Sequence, residues 1–170
     1  MNDGSRWVDG AIARNTGDGK FQASIRTAGI EILADEPLSV GGNGSGPSPY
    51  QMLAAALAAC TTMTVKLYAE RKGWPVTHVE TSVEHSRQND LDPADCFTRR
   101  IEIEGEIDTL QKARLMEIAD HCPVHRTLTG GARVETLSAD APSRPMSASD
   151  HAVDMEALIS VGRGSFDFTE

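Results

Sequence analysis

Three stretches near the N-terminus alternate apolar and polar residues. Trp7 to Ala13, Phe21 to Ile25 and Ile30 to Ala34 each read as a strand, because alternation sends one kind of side chain to each face. Asn15-Thr16-Gly17-Asp18-Gly19 and Ala28-Gly29 supply the turns, so the first forty residues predict a β meander. Gly41 to Pro47 is a glycine-rich loop. It lacks the lysine of a phosphate-binding loop and is expected as a mobile connection. The period then changes. Ser48, Pro49 and Gln51 form a helix start, with a cap, a first-position proline and a capping-box partner. Leu53, Ala56, Leu57, Cys60, Met63, Thr64 and Leu67 fall on one stripe, and the opposite side is alanine and threonine as far as Lys66. A helix with so little polar face is predicted to be central and covered on most sides. It is expected to run to about Arg71 and to stop at Gly73-Trp74-Pro75.

Alternation then returns. In Thr77 to His85, Val79, Thr81 and Val83 share a face; in Thr98 to Ile107, Ile101, Ile103 and Ile107 point inward. With the polar stretch Gln88 to Asp95 between them, these predict a hairpin. Asp108 and Gln111 form a second capping box. The helix they open carries Leu110, Ala113, Met116 and Ile118 and ends near His121. Cys122-Pro123 starts a short turn to Leu128, Gly130-Gly131 breaks it, and Ala132 to Leu137 is expected as a last strand. Beyond Ser138 alanine, serine, aspartate and proline dominate, with a short amphipathic helix predicted over Asp150 to Ile159. The chain therefore divides into a domain over 1–137 and a C-terminal extension over 138–170.

Composition changes this picture little. A chain of 170 residues can bury a core without metals or disulfides. Its net charge of −9 argues against nucleic acid and anionic membranes as partners. The first residues hold no apolar signal core, and Pro49 to Val65 reads as a buried helix rather than a membrane span. Three cysteines, an odd number, do not make a secreted disulfide framework, so a reducing cytoplasm is expected.

The candidate chemistry lies in two of those cysteines. Cys60 sits inside the apolar helix and Cys122 directly precedes a proline, 62 positions later. Buried free cysteine is common as a small apolar residue, but these two settings also suit an attacking and a resolving thiol. Cys122 falls at a helix N-cap, where free N–H groups favour an anion, and His121, His125 and Arg126 lie close in sequence. Cys60 has no such help from its own helix. An apolar setting raises a thiol pKa, so an arginine must come from elsewhere: Arg14, Arg26 and Arg126 are the candidates. His121, Cys122 and His125 are an awkward zinc set, since two are adjacent and a fourth ligand is lacking; no metal is expected. Cys96 reads as an incidental exposed thiol, His78 and His85 as surface strand histidines, and Glu102, Glu104 and Glu106 as a solvated face.

Gly46-Pro47-Ser48-Pro49-Tyr50, then Leu53-Ala54-Ala55-Ala56-Leu57-Ala58-Ala59-Cys60-Thr61, Tyr68-Ala69-Glu70-Arg71-Lys72-Gly73, and Cys122-Pro123-Val124-His125-Arg126-Thr127-Leu128 together closely resemble the OsmC/Ohr family. Asp35-Glu36-Pro37 with Gly41-Gly42 resembles its OsmC-like branch. The resemblance covers about residues 25 to 137. It implies an α+β fold, with antiparallel sheets around a long central helix in an intertwined homodimer. It also implies a thiol-dependent peroxidase that reduces organic hydroperoxides without a cofactor. In that scheme Cys60 attacks and becomes a sulfenic acid, Cys122 resolves it as a disulfide, and a dithiol reductant (a lipoyl or thioredoxin-like protein) restores both. The family's peroxidases carry a glutamate where this chain has Tyr50, and it pairs with an arginine that holds the thiolate. Here Arg26 is the expected stabiliser by location, with Tyr50 and His125 as the supporting binding residues. Two other classes stay open: a non-catalytic binder of apolar small molecules, and a redox-responsive protein switched by a Cys60–Cys122 disulfide.

Overall fold

The computed structural model describes residues 10 to 138. The helix expected over Asp150 to Ile159 and the start of the strand expected from Trp7 lie outside them. The described residues form two compact units, the first holding 10–49 and 134–138 and the second Tyr50–Arg133. Each is described by itself.

In the first unit, β1 (Ala11–Asn15), β2 (Ala23–Thr27) and β3 (Ile30–Ala34) make an antiparallel meander in sequence order. Ala13 pairs with Ile25, and Ile25 with Ile32. The glycine loop that follows is pinned rather than mobile. Asp35 is 2% exposed, and its carboxylate accepts from the N–H groups of Glu36, Asn43 and Ser45 and from the Ser45 hydroxyl, at 2.8, 3.0, 3.2 and 2.9 Å. Burial disfavours the charged carboxylate, but these four donors outweigh it and hold the Asp35 pKa below its ordinary value. Two glycines let the loop close on itself: a Cβ at Gly42 would collide with the Glu36 carbonyl, and one at Gly46 with that of Leu33.

The second unit is built on α1 (Pro49–Lys72), followed by β4 (Val76–Arg87), β5 (Asp95–Gly105), α2 (Thr109–Ala119) and α3 (Pro123–Gly130). β4 and β5 pair antiparallel as the predicted hairpin. Their inward residues face one another in order: Val79 with Ile103, Thr81 with Ile101, Val83 with Arg99, His85 with Phe97. Val65 and Ala69 of α1, Val76 and Ile103 of the hairpin, and Leu115 and Ala119 of α2 form one buried cluster. The capping box at Asp108 forms as expected, with both side chain–backbone bonds present.

Two further expectations need correcting. Residues 131–138 are irregular, not a strand, and Val134 and Leu137 are 85% and 86% exposed. No described strand pairs with this segment, and an unpaired edge leaves its backbone groups in water. The cover over α1 is also incomplete. Only 33% of its most apolar stretch is buried, and Leu53 and Met63 are open. By length and composition it is the one described helix that passes for a membrane span. Its inward contacts with the hairpin, α2 and α3 are those of a core helix.

Candidate active site

A second cluster lies further toward the N-terminus of α1. Leu57, Cys60 and Cys122 are its buried members, with Val83, Phe97, Val124 and Leu128 packed around them. The fold thus brings together two thiols that are 62 positions apart. Both are free: Cys60 is 6% exposed and Cys122 fully buried. Cys96 lies apart, near the end of the hairpin loop, beside Thr98.

Helical geometry explains the neighbours of Cys60. Thr64 is one turn on and shares its face, and Thr61 is the next residue in the chain. The Thr64 hydroxyl is buried, and it acts on the Cys60 sulfur. Cys122 owes its place to Pro123. Proline fixes the first helical position, so Cys122 becomes the N-cap of α3. The Cys122 side chain makes no cap hydrogen bond. The N–H groups of His125 and Val124 nonetheless favour the Cys122 anion, as does the Thr61 hydroxyl.

The two sulfurs interact directly and titrate as one system. Cys122 is drawn down to about 6, first by the Cys60 thiol and then, against desolvation, by the His125 N–H, the Thr61 hydroxyl and the Val124 N–H. Cys60 is pushed up, first by Cys122 and then by burial, with the Val124 N–H and the Thr64 hydroxyl opposing. The direction follows from the donor count. Cys122 holds a helix N-terminus and Cys60 sits mid-helix, so one proton and one negative charge are shared with the charge on Cys122.

The other expected residues take varied places. His125 serves Cys122 through its backbone, while its ring lies 4.0 Å from the Asp120 carboxylate. Tyr50 stacks on His85, with ring centroids 4.1 Å apart and planes 8° from parallel. His85 in turn tilts against Phe97 and meets the Asp95 carboxylate at 3.0 Å. His85 is therefore a half-buried inward residue, not the surface histidine expected, whereas His78 is exposed as expected. Arg26 is on β2 in the other unit, exposed, and pairs with Glu31 at 3.6 Å. Among the described residues no group of three or more His, Cys, Asp or Glu is placed to hold a metal ion.

Sequence reasoning missed Arg99. Its side chain is 12% exposed and reaches Thr61, beside Cys60. The signal was present: Arg99 has the same strand parity as Ile101 and Ile103, which were read as inward.

No curated protein matches the chain in sequence. Solved structures share its fold. An organic hydroperoxide resistance protein OsmC from Legionella pneumophila is 20% identical, with a TM-score of 0.56 over 71% of this chain and 88% of that one. An OsmC-like protein from Mycoplasma pneumoniae is 23% identical, with a TM-score of 0.57 over 71% and 86%. The organic hydroperoxide resistance protein OhrB of Bacillus subtilis is 18% identical, with a TM-score of 0.51 over 71% and 90%. The α+β arrangement of antiparallel sheets and a long helix is theirs. The model of the OsmC-like protein family matches residues 42–137, which include both thiols, and the chain belongs to that family.

Proposed function

We propose that the protein is a thiol-dependent peroxidase that reduces organic hydroperoxides through Cys60 and Cys122. The observation that carries this reading is the buried pair itself: two free thiols, remote in sequence, brought into one buried cluster. The Cys60 sulfur attacks the distal peroxide oxygen while its proton passes to the Cys122 thiolate. The O–O bond breaks, and that proton ends on the departing alkoxide. Cys60–SH and ROOH become Cys60–SOH and ROH. The Cys122 thiolate then attacks the Cys60 sulfur, the S–O bond breaks, and hydroxide leaves to take a proton from solvent. A dithiol, from a lipoyl or thioredoxin-like protein, returns both thiols and becomes a disulfide. Leu57, Val83, Phe97 and Leu128 pack around the two thiols, and this apolar setting suits an organic chain better than hydrogen peroxide.

The uncovered apolar side of α1, Leu53 and Met63 foremost, supports a homodimer. The odd cysteine count, which makes no secreted disulfide framework, supports a cytoplasmic site of action. Within this reading Tyr50 and His125 keep the supporting roles expected of them, no described contact carries the stabilising role expected of Arg26, which pairs with Glu31, and residues 138–170 are an extension to a domain over 1–137.

One observation favours a second reading, a non-catalytic binder of apolar molecules: the Cys60 thiol is held neutral. A single experiment separates the two. The reduced protein receives one equivalent of cumene hydroperoxide, free thiols are counted, and any disulfide is mapped by mass spectrometry. Rapid loss of two thiols into a Cys60–Cys122 bond is expected. Cys122→Ser, which removes both the proton acceptor and the resolving thiol, should form no disulfide and should reach a dimedone-trapped sulfenic acid on Cys60 more slowly, and Cys60→Ser should not react. Persistence of both thiols for minutes would give the lead to the binder.

A further inference from the structure

Arg99 and Arg100 are neighbours on β5, and the pleat sends them to opposite faces. Arg100 is outward and 60% exposed, paired with Glu84 across the hairpin at 3.1 Å. Arg99 is inward, between the hairpin and α1. A guanidinium cannot shed its charge, so burying it requires acceptors for its donors. Arg99 finds three, on two segments. Nη1 donates to the Thr61 hydroxyl at 3.0 Å and to the Ala119 carbonyl at 3.0 Å. Nη2 donates to the Asp120 carboxylate in a 2.6 Å ion pair.

These acceptors flank the two thiols. Thr61 follows Cys60 on α1. Ala119 and Asp120 close α2, and the Ala119 carbonyl also accepts the Cys122 N–H at 3.3 Å. The carbonyl that orients the Cys122 backbone is therefore the one Arg99 holds. No short stretch of chain joins the two cysteines, so tertiary contacts alone set the gap between the sulfurs.

We propose that Arg99 is a positioning residue of the dithiol site, a clasp that ties Thr61 of α1 to the Ala119–Asp120 turn and so fixes Cys60 and Cys122 at reacting separation. This deepens the reading of the two cysteines as a redox pair. Held reactants gain effective concentration, and that gain is lost when a geometric support is removed. The clasp also puts a fixed positive charge one hydroxyl away from Cys122. Charged or titratable groups near Cys122 include Cys60 on α1, Asp120 at the end of α2, the adjacent His121, His125 on α3 and, behind Phe97, His85 on β4.

The test needs no peroxide. Reduced protein is equilibrated with oxidised and reduced glutathione, where the dithiol and GSSG give the Cys60–Cys122 disulfide and two GSH. The oxidised fraction yields the effective concentration of the two thiols. Arg99→Gln should lower it by at least about tenfold. In a Cys60→Ser background, Arg99→Gln should also move the pH midpoint of Cys122 alkylation upward, a readout that looser packing alone would not shift in that direction. Arg100→Gln should change neither. An Arg99→Gln protein with an unaltered far-ultraviolet circular dichroism spectrum, an unaltered glutathione equilibrium and an unaltered alkylation midpoint would overturn the clasp. If Arg99→Gln does not fold, Thr61→Val cuts the same tie at its α1 end, with Thr61→Ser expected to restore it; unchanged equilibrium and midpoint in a folded Thr61→Val protein would equally overturn it. A pair that depends on Arg99 but consumes no hydroperoxide would leave the clasp standing and sink only the peroxidase reading.

Discussion

Two clusters lie along the same inner face of α1, and they differ in what closes them. Toward the C-terminal end, Val65 and Ala69 meet Val76, Ile103, Leu115 and Ala119, and every buried member is hydrocarbon. Toward the N-terminal end, Leu57 and Cys60 meet Cys122, and Thr61, Thr64 and Arg99 stand among the carbon side chains. The first is closed by α2 and the second by α3. Each of those helices has its N-terminus served by the residue before it, in opposite senses. Asp108 spends its carboxylate on the backbone of α2. Cys122 leaves the α3 backbone without a short cap bond, and the N–H groups act on its sulfur instead. The same feature of helix ends stabilises structure in one case and an anion in the other. One end of the helix thus provides cohesion, and the other exchanges some cohesion for a reactive pair.

That contrast can be tested from its stable side first. Leu115 is fully buried in the hydrocarbon cluster, so Leu115→Ala should cost about 2–5 kcal/mol, read by urea unfolding. Thiol reactivity of the protein that remains folded should be unchanged. A cost near zero would mean that the two ends of α1 do not differ in cohesion as argued.

The next effect is a pH dependence that belongs to the dithiol end alone. The Cys122 pKa is depressed to about 6 from the ordinary 9.0. Between those values the folded pair holds one proton and the unfolded pair two, so the stability from the thiolate is full only above the unfolded value and is lost as pH falls toward 6. The Cys60 pKa is raised, so above 9 the folded state still holds a proton that the unfolded state has released, and stability falls again. The unfolding free energy from urea titrations should therefore rise from pH 6 to a maximum near pH 9, by at most about 1.4 kcal/mol per pH unit. Cys122→Ser should flatten both limbs; an unflattened curve would assign them to other groups.

The smallest effect isolates the capping contrast. Asp108→Ala removes the capping box of α2 and should cost about 1 kcal/mol in the same unfolding measurement. Cys122 alkylation should keep its rate and pH midpoint. A change in Cys122 reactivity would show that α2 and α3 are not independent in the way the two caps suggest.

Legibility from the sequence followed the range of the interactions. The capping box of α2, the length of α1, the hairpin pairing and the N-cap place of Cys122 all rest on contacts within a few residues or on simple periodicity, and all were readable. The expected strand over 132–137 was not, because a strand needs a partner and periodicity does not supply one. His85 was read as a surface residue because a histidine in an alternating strand looks the same on either face until Tyr50 and Phe97 pack on it.

The sequence by itself determined which residues could do chemistry. Only a few cysteines are present, one in an apolar helix and one before a proline, and local backbone rules already favoured charge on the second. Only the tertiary structure decided that these two meet, and that the arginine beside them is Arg99 rather than one nearer in the chain to either thiol. A strand residue reaches a helix and a turn that are 38 and 20 positions away. Local propensity carries no information about such a contact; it exists because burying a guanidinium leaves those oxygens as its acceptors.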